Sequence, residues 1–234
     1  MTRFALAATC CALALSACSE PTETSSTSMT SEPMTSQTTT TETAATGDEA
    51  AVRERLQLAQ RVVPNLDQLI DRQLIVDQAR ACAVDESATI PVVDLPEDAT
   101  DAAANGALAD QYLADILGEP CVYQLPSGLI FRIRTAVEEG DSPMRGDMVT
   151  VHYRGQLLNG EEFDSSYSRG EPATFPSDRL IAGWVEALPL MQVGERWELF
   201  IHPDLGYGMR GTPGGPIGPN MALVFELELL GLPG

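Results

Sequence analysis

Three kinds of residue in this 234-residue sequence have types that do chemistry: five cysteines, two histidines, and a set of aromatics gathered in the C-terminal half. The histidines, His152 and His202, fall in strand-like stretches with no companion at metal-ligand spacing, so they point to no metal site. Cys82 and Cys121 are far apart in sequence and suit a disulfide or a pair of buried thiols; spacing alone does not choose between them. The aromatics Tyr153, Phe163, Trp184, Tyr207 and Phe225, with the acid Asp164 beside Phe163, read first as core when each is taken singly. Aromatic side chains supply no nucleophile, only binding surface and an environment poor in water.

The remaining cysteines belong to the leader. Arg3, the apolar stretch Phe4 to Leu15 and the small residues before Cys18 have the order of a secretory signal, and the stretch is too short to span a bilayer as a helix. Leu15-Ser16-Ala17-Cys18 resembles the bacterial lipobox, which implies cleavage before Cys18 and lipidation of that cysteine. The plainer alternative is an ordinary signal peptide in which the cysteine is incidental. With Cys10 and Cys11 removed and Cys18 acylated, only Cys82 and Cys121 remain for an oxidising compartment, which favours their pairing.

The elements that must position the aromatics follow from composition and period. A formal charge of -20, with 14 basic residues that are all arginine and are scattered among acids, excludes nucleic acid as a partner, because no cation cluster is present to displace counterions. Residues 18–47 are rich in Thr, Ser and Glu and lack the apolar side chains that would offset ordering, so they read as a disordered tether, with a glycosylated stalk as the alternative. From Asp48, Val52, Leu56, Ala59 and Val63 share one helical face. Pro64 interrupts the pattern, and Asn65 caps a second helix with Leu66, Leu69, Ile70 and Leu74 on one side. Residues 85–100 read as a loop around Pro91 and Pro96. A third helix is expected from Asp101 to Leu117, with Leu108, Tyr112 and Ile116 spaced by four and Gly118 and Pro120 ending it. These stripes need a partner, either the following domain or a second copy of the chain as a homodimer.

After Pro126-Ser127-Gly128 the period changes from helix to strand. Leu129, Phe131, Ile133 and Val137 alternate with Arg132 and Arg134; Val149, Val151 and Tyr153 do likewise; Trp197, Leu199 and Ile201 alternate with Arg196 and Glu198, which are expected at the surface, and Leu223, Phe225, Leu227 and Leu229 with Glu226 and Glu228. Asn159-Gly160 marks a tight turn. Gly183 to Leu190 reads as one short helix. The expected architecture is α+β: a curved antiparallel sheet of half-buried strands wrapped on one short helix over residues 127–234, preceded by a small helical region at 48–126. The leader, 1–17, and the tether, 18–47, complete the division.

The C-terminal stretch resembles the FKBP-type peptidyl-prolyl cis-trans isomerases, most closely their Mip-like bacterial branch. The resemblance rests on Val151-His152-Tyr153-Arg154-Gly155, Phe163-Asp164-Ser165-Ser166, Ile181-Ala182-Gly183-Trp184, Met191-Gln192-Val193-Gly194-Glu195, His202 to Gly208, and Gly215 to Phe225, in matching order and spacing. Upstream, Ala104-Asn105, Tyr112-Leu113-Ala114 and Leu125 to Leu129 resemble it more loosely. The resemblance implies an FKBP-like fold and rotation about X-Pro bonds, which needs neither metal nor cofactor, because only amide conjugation has to be disrupted. It implies a site of Tyr153, Phe163, Asp164, Leu180, Ile181, Trp184, Tyr207, Ile217 and Phe225. Trp184 would floor the prolyl ring, while the Tyr207 hydroxyl and the Ile181 N–H would serve peptide carbonyls. Asp164 would act through its field on the twisting amide or by anchoring Tyr153. Ala173 stands where many eukaryotic members carry a rim aromatic, which implies an altered substrate range. Implied partners are proline-containing, unfolded exported proteins, macrolides such as rapamycin, and a membrane, the outer one, through the lipid. The rival readings are a periplasmic chaperone and a surface-interaction lipoprotein.

Overall fold

The computed structural model describes residues 66–84 and 88–233. The expectations for the leader, Cys18, the tether, the helix of Val52 to Val63, the Asn65 cap and the Leu66 side chain lie outside these residues. Among the described residues no helix is long and apolar enough to cross a membrane.

Alternation builds an antiparallel sheet: β1 (Val122–Gln124), β2 (Ile130–Thr135), β3 (Met148–Gln156), β4 (Glu162–Ser165), β5 (Ala173–Pro176), β6 (Arg196–Ile201) and β7 (Leu223–Gly231). The spatial order is β1-β2-β6-β7-β3-β4, and β5 pairs with the first half of β3. The sheet therefore begins with β1, upstream of residue 127. Gly160, at φ +83°, completes the β3–β4 turn by donating its N–H to the Leu157 carbonyl at 2.9 Å. Positive φ suits glycine because it has no Cβ to clash.

One sheet face carries Phe131, Ile133, Val151, Trp197, Leu199, Leu227 and Leu229, all fully buried. A short helix covers them: α4 (Ala182–Ala187), continued by a 3₁₀ turn at Leu188–Leu190, with Trp184, Ala187 and Leu188 facing the sheet core. α3 (Ser166–Arg169) is a single turn after β4.

The other face is not solvated as half-buried strands would require. α2 (Ala102–Ile116), capped by the Asp101 carboxylate on the Ala103 and Ala104 N–H groups, lays Ala109, Tyr112, Leu113 and Ile116 against Ile130, Phe200, Ala222 and Val224. The extended stretch after residue 87 crosses the same face, with the Val93 N–H donating to the Leu158 carbonyl at 2.9 Å. β6 is consequently buried on both sides, and Glu198, expected at the surface, is 2% exposed. Its carboxylate is held by Arg132, whose Nε donates at 2.7 Å, and by Arg134. A buried charge persists only when paired in this way.

α1 (Leu66–Ala81) also departs from expectation. Leu69, Ile70 and Leu74 are 49%, 45% and 56% exposed, and the helix docks instead through Val76 and Ala79. The reason is where the helix is tied. Its C-terminal end is fixed by a disulfide from Cys82 to Cys121 and by Arg80, which donates to the buried Glu195 at 2.7 Å. Only the second half of α1 therefore lies over the core; the first half projects beyond the sheet beside α4, where Arg72 pairs with Glu186 at 2.9 Å.

Candidate active site

The concave face of the sheet, the segment leading into α4 and the loop after β6 enclose a cavity of about 610 Å³. β3 supplies Tyr153, β4 supplies Phe163 and Asp164, β7 supplies Phe225, and α4 supplies Trp184. Leu180 and Ile181 come from the residues just before α4, and Tyr207 from the loop after β6. Eight of the nine residues expected from sequence thus line one cavity. The ninth, Ile217, does not: it is 4% exposed and packs into the core beneath the loop that carries it.

The aromatic wall is built edge to face. Trp184 meets Tyr153 and Phe225 at 5.3 Å each with interplanar angles of 80° and 81°, and Phe163 meets Phe225 at 5.5 Å and 86°. This arrangement brings the positive edge of one ring to the negative face of the next. Gly155 makes it possible, because a Cβ there would lie 2.6 Å from Phe163 Cζ and 2.7 Å from Phe225 Cε1. Trp184, 4% exposed, closes the bottom, and its indole N–H has no hydrogen-bond acceptor among the described residues.

A set of hydrogen-bonded polar groups stands at the rim. The Tyr153 hydroxyl donates to Asp164 Oδ2 at 2.7 Å and accepts from Arg169 Nη2 at 2.7 Å, while Arg169 also pairs with Asp164 Oδ1. Burial, followed by this bond to Asp164, pushes the Tyr153 pKa above the usual tyrosine value. Burial and the Asp164 charge do the same to Tyr207, which is 38% exposed. Both shifts favour the neutral phenol. The two serines after Asp164 fix this rim: Ser165 caps α3 at the Ser168 N–H, and the fully buried Ser166 accepts the Tyr153 N–H at 2.7 Å.

Sequence reasoning missed Arg169, Phe175, Arg179, Ala182 and Gly206. Phe175 lines the cavity 6.1 Å from the Tyr153 ring. Its signal was the two-residue alternation within β5, which puts it on the face of Ala173; Ala173 itself, implied at the rim, packs against the core and does not line the cavity. Arg169 had no signal, since an arginine in a polar turn reads as solvated. His152 stacks on Tyr167 at 4.5 Å and bonds to Ser166, and His202 sits 3.3 Å from Asp110, just past β6 rather than within a strand. Among the described residues no group of three or more His, Cys, Asp or Glu could hold a metal ion.

Residues 140–230 match the model of the family described as FKBP-type peptidyl-prolyl cis-trans isomerase. A solved peptidyl-prolyl cis-trans isomerase from Pseudomonas syringae pv. tomato superposes with a TM-score of 0.53 at 32% identity, covering 61% of this chain and 99% of that one. The chain belongs to the FKBP-type peptidyl-prolyl isomerase family. Among curated relatives, the peptidyl-prolyl cis-trans isomerase Mip of Coxiella burnetii is 45% identical over 126 residues, 54% of each chain. The outer membrane protein MIP of Legionella longbeachae is 45% identical over 126 residues, 54% of this chain and 53% of that one. The chain spans about half the length of these relatives. Within this FKBP-type domain, the cavity and its aromatic wall fall inside the matched residues.

Proposed function

We propose that this chain is an exported, lipid-anchored peptidyl-prolyl cis-trans isomerase that accelerates the folding of exported proteins. The observation that carries the reading is the cavity itself: a slot walled by Tyr153, Phe163, Trp184 and Phe225, closed by Trp184, with the Tyr153–Asp164–Arg169 bonds at its mouth. An X-Pro amide loses resonance and charge separation as it twists, so a slot poor in water favours the twisted form over the planar one. Prolyl isomerisation is slow enough to limit folding, and lowering its barrier by about 1.4 kcal/mol raises the rate tenfold.

Trp184 would lie under the prolyl ring, with Phe163 and Phe225 at its sides and Leu180 at the edge. The Tyr207 hydroxyl and the Ile181 N–H would donate to the carbonyls flanking the proline. Asp164 would act chiefly by holding Tyr153 in place; the Tyr153–Asp164–Arg169 bonds support that role, because both carboxylate oxygens are already engaged. The same cavity would take a rapamycin-type macrolide. The lipobox-like Cys18 would anchor the chain to the outer membrane, with residues 18–47 as its tether; the name of the Legionella longbeachae relative supports that location.

The test is exchange NMR on a short peptide with one X-Pro bond, using the full chain in detergent. Turnover that rapamycin abolishes and that falls by about tenfold in Tyr207→Phe or Asp164→Ala is the expected result. A rate no faster than that of buffer would overturn the proposal.

A further inference from the structure

A second concavity adjoins the prolyl cavity. It is a groove of about 570 Å³ between the projecting half of α1 and the outer side of α4, and it shares Leu180 and Ala182 with the prolyl cavity. The two therefore adjoin at these residues. Leu69 forms the α1 wall and Val185 the α4 wall, and the Arg72–Glu186 pair at 2.9 Å joins the two helices.

This wall is fixed in advance. The disulfide from Cys82 to Cys121, the Arg80–Glu195 pair and the burial of Val76 and Ala79 hold α1 in position. Yet Leu69 is 49% exposed, an apolar side chain held at the surface beside an open groove. A polypeptide whose proline occupies the slot must leave it in some direction, and the groove begins at the slot's Leu180 and Ala182 edge. Its charges are of both signs, Arg72 and Arg145 with Glu186 and Asp178, so it selects no net charge in what it holds. Its apolar walls suit an extended segment that buries one or two apolar side chains and keeps its backbone hydrated.

We infer that this groove is an extended subsite for the client polypeptide, taking an apolar segment next to the isomerised X-Pro bond. The inference rests on the isomerase reading above. It assigns α1 a direct part in binding and makes the substrate an unfolded chain longer than the slot alone can hold. Preorganised walls raise affinity because little conformational freedom is lost on binding.

The test compares two substrates by exchange NMR with the full chain in detergent: a short peptide with one X-Pro bond, and the same peptide extended at both ends by apolar-containing sequence. The wild-type chain should bind the extended peptide with a KM lower by about fivefold, the scale expected for burying roughly one methylene group in a groove open to solvent. Leu69→Asp should abolish that advantage. Leu74→Asp, on the same helix but outside the groove, should keep it; circular dichroism checks that both variants fold. Equal KM values for the two peptides in the wild type, or equal losses in both variants, would overturn the inference. So would a change in sedimentation of Leu69→Asp from dimer to monomer with the KM ratio intact, which would assign the groove to a second copy. Failure to turn over either peptide would instead refute the isomerase reading.

Discussion

Removing Arg80 should unfold this domain more readily than removing both Arg80 and its partner. The Glu195 side chain is fully buried, and its carboxylate accepts from Arg80 Nε at 2.7 Å, Arg80 Nη2 at 3.3 Å, Trp197 Nε1 at 3.0 Å and the Gln192 N–H at 3.0 Å. Arg80→Met keeps the aliphatic stem but leaves a buried carboxylate with two neutral donors and no counter-charge. Breaking such a pair costs about 3–5 kcal/mol, and the two remaining donors put the expected loss near the lower end, about 3 kcal/mol. Adding Glu195→Gln removes the uncompensated charge while the Gln oxygen still accepts from Trp197, so the double variant should regain about 1–2 kcal/mol. Urea denaturation, followed by the fluorescence of Trp197 stacked on Phe131 at 4.7 Å, reads the difference as a midpoint shift at constant slope. A loss below about 1 kcal/mol in Arg80→Met, or a double variant as unstable as the sum of the singles, would refute the reasoning.

Two further outcomes follow from the same structure. Gly155→Ala forces a methyl against Phe163 and Phe225; the overpacking should cost about 1–3 kcal/mol and reduce peptide turnover severalfold, and unchanged turnover would show that these rings do not shape the working surface. Burial, with the Glu198 charge second, holds the Tyr112 hydroxyl above the usual tyrosine range. Its folded pKa lies above the unfolded value of about 10, so its contribution is intact below that pH and is lost as pH rises towards the folded value. Tyr112→Phe should therefore flatten the alkaline decline in stability by up to about 1.4 kcal/mol per pH unit, and parallel declines in the two proteins would refute this.

The sheet was legible because alternation is local: β2, β3, β6 and β7 each announce one apolar face. What alternation does not carry is what covers the other face. Glu198 reads as solvated until α2 and the stretch through Val93 are laid across the strand, and both come from far upstream. The face of α1 was misread for a related reason. Its most regular apolar stripe, through Leu69 and Leu74, is not the stripe that docks, because the disulfide and Arg80 fix the helix by its C-terminal end. Most of the cavity was legible through family spacing in elements that converge. Arg169 was not, because its role is to bond Tyr153 and Asp164 across a turn, and no pattern of hydrophobicity records a hydrogen bond.

The bond between Cys82 and Cys121 closes a covalent ring around the 38 intervening residues, 83–120, which include the extended stretch through Val93 and α2. A protease that nicks this ring once produces two chains still joined through sulfur, so α1 and the groove it walls remain attached to the sheet. Only a reductant, or a second cut outside the ring, would release it. The domain's tolerance of cleavage is thus set by the redox state of its surroundings: a nicked molecule in an oxidising compartment keeps its whole binding surface, whereas the same nick followed by reduction leaves α1 held by noncovalent contacts alone.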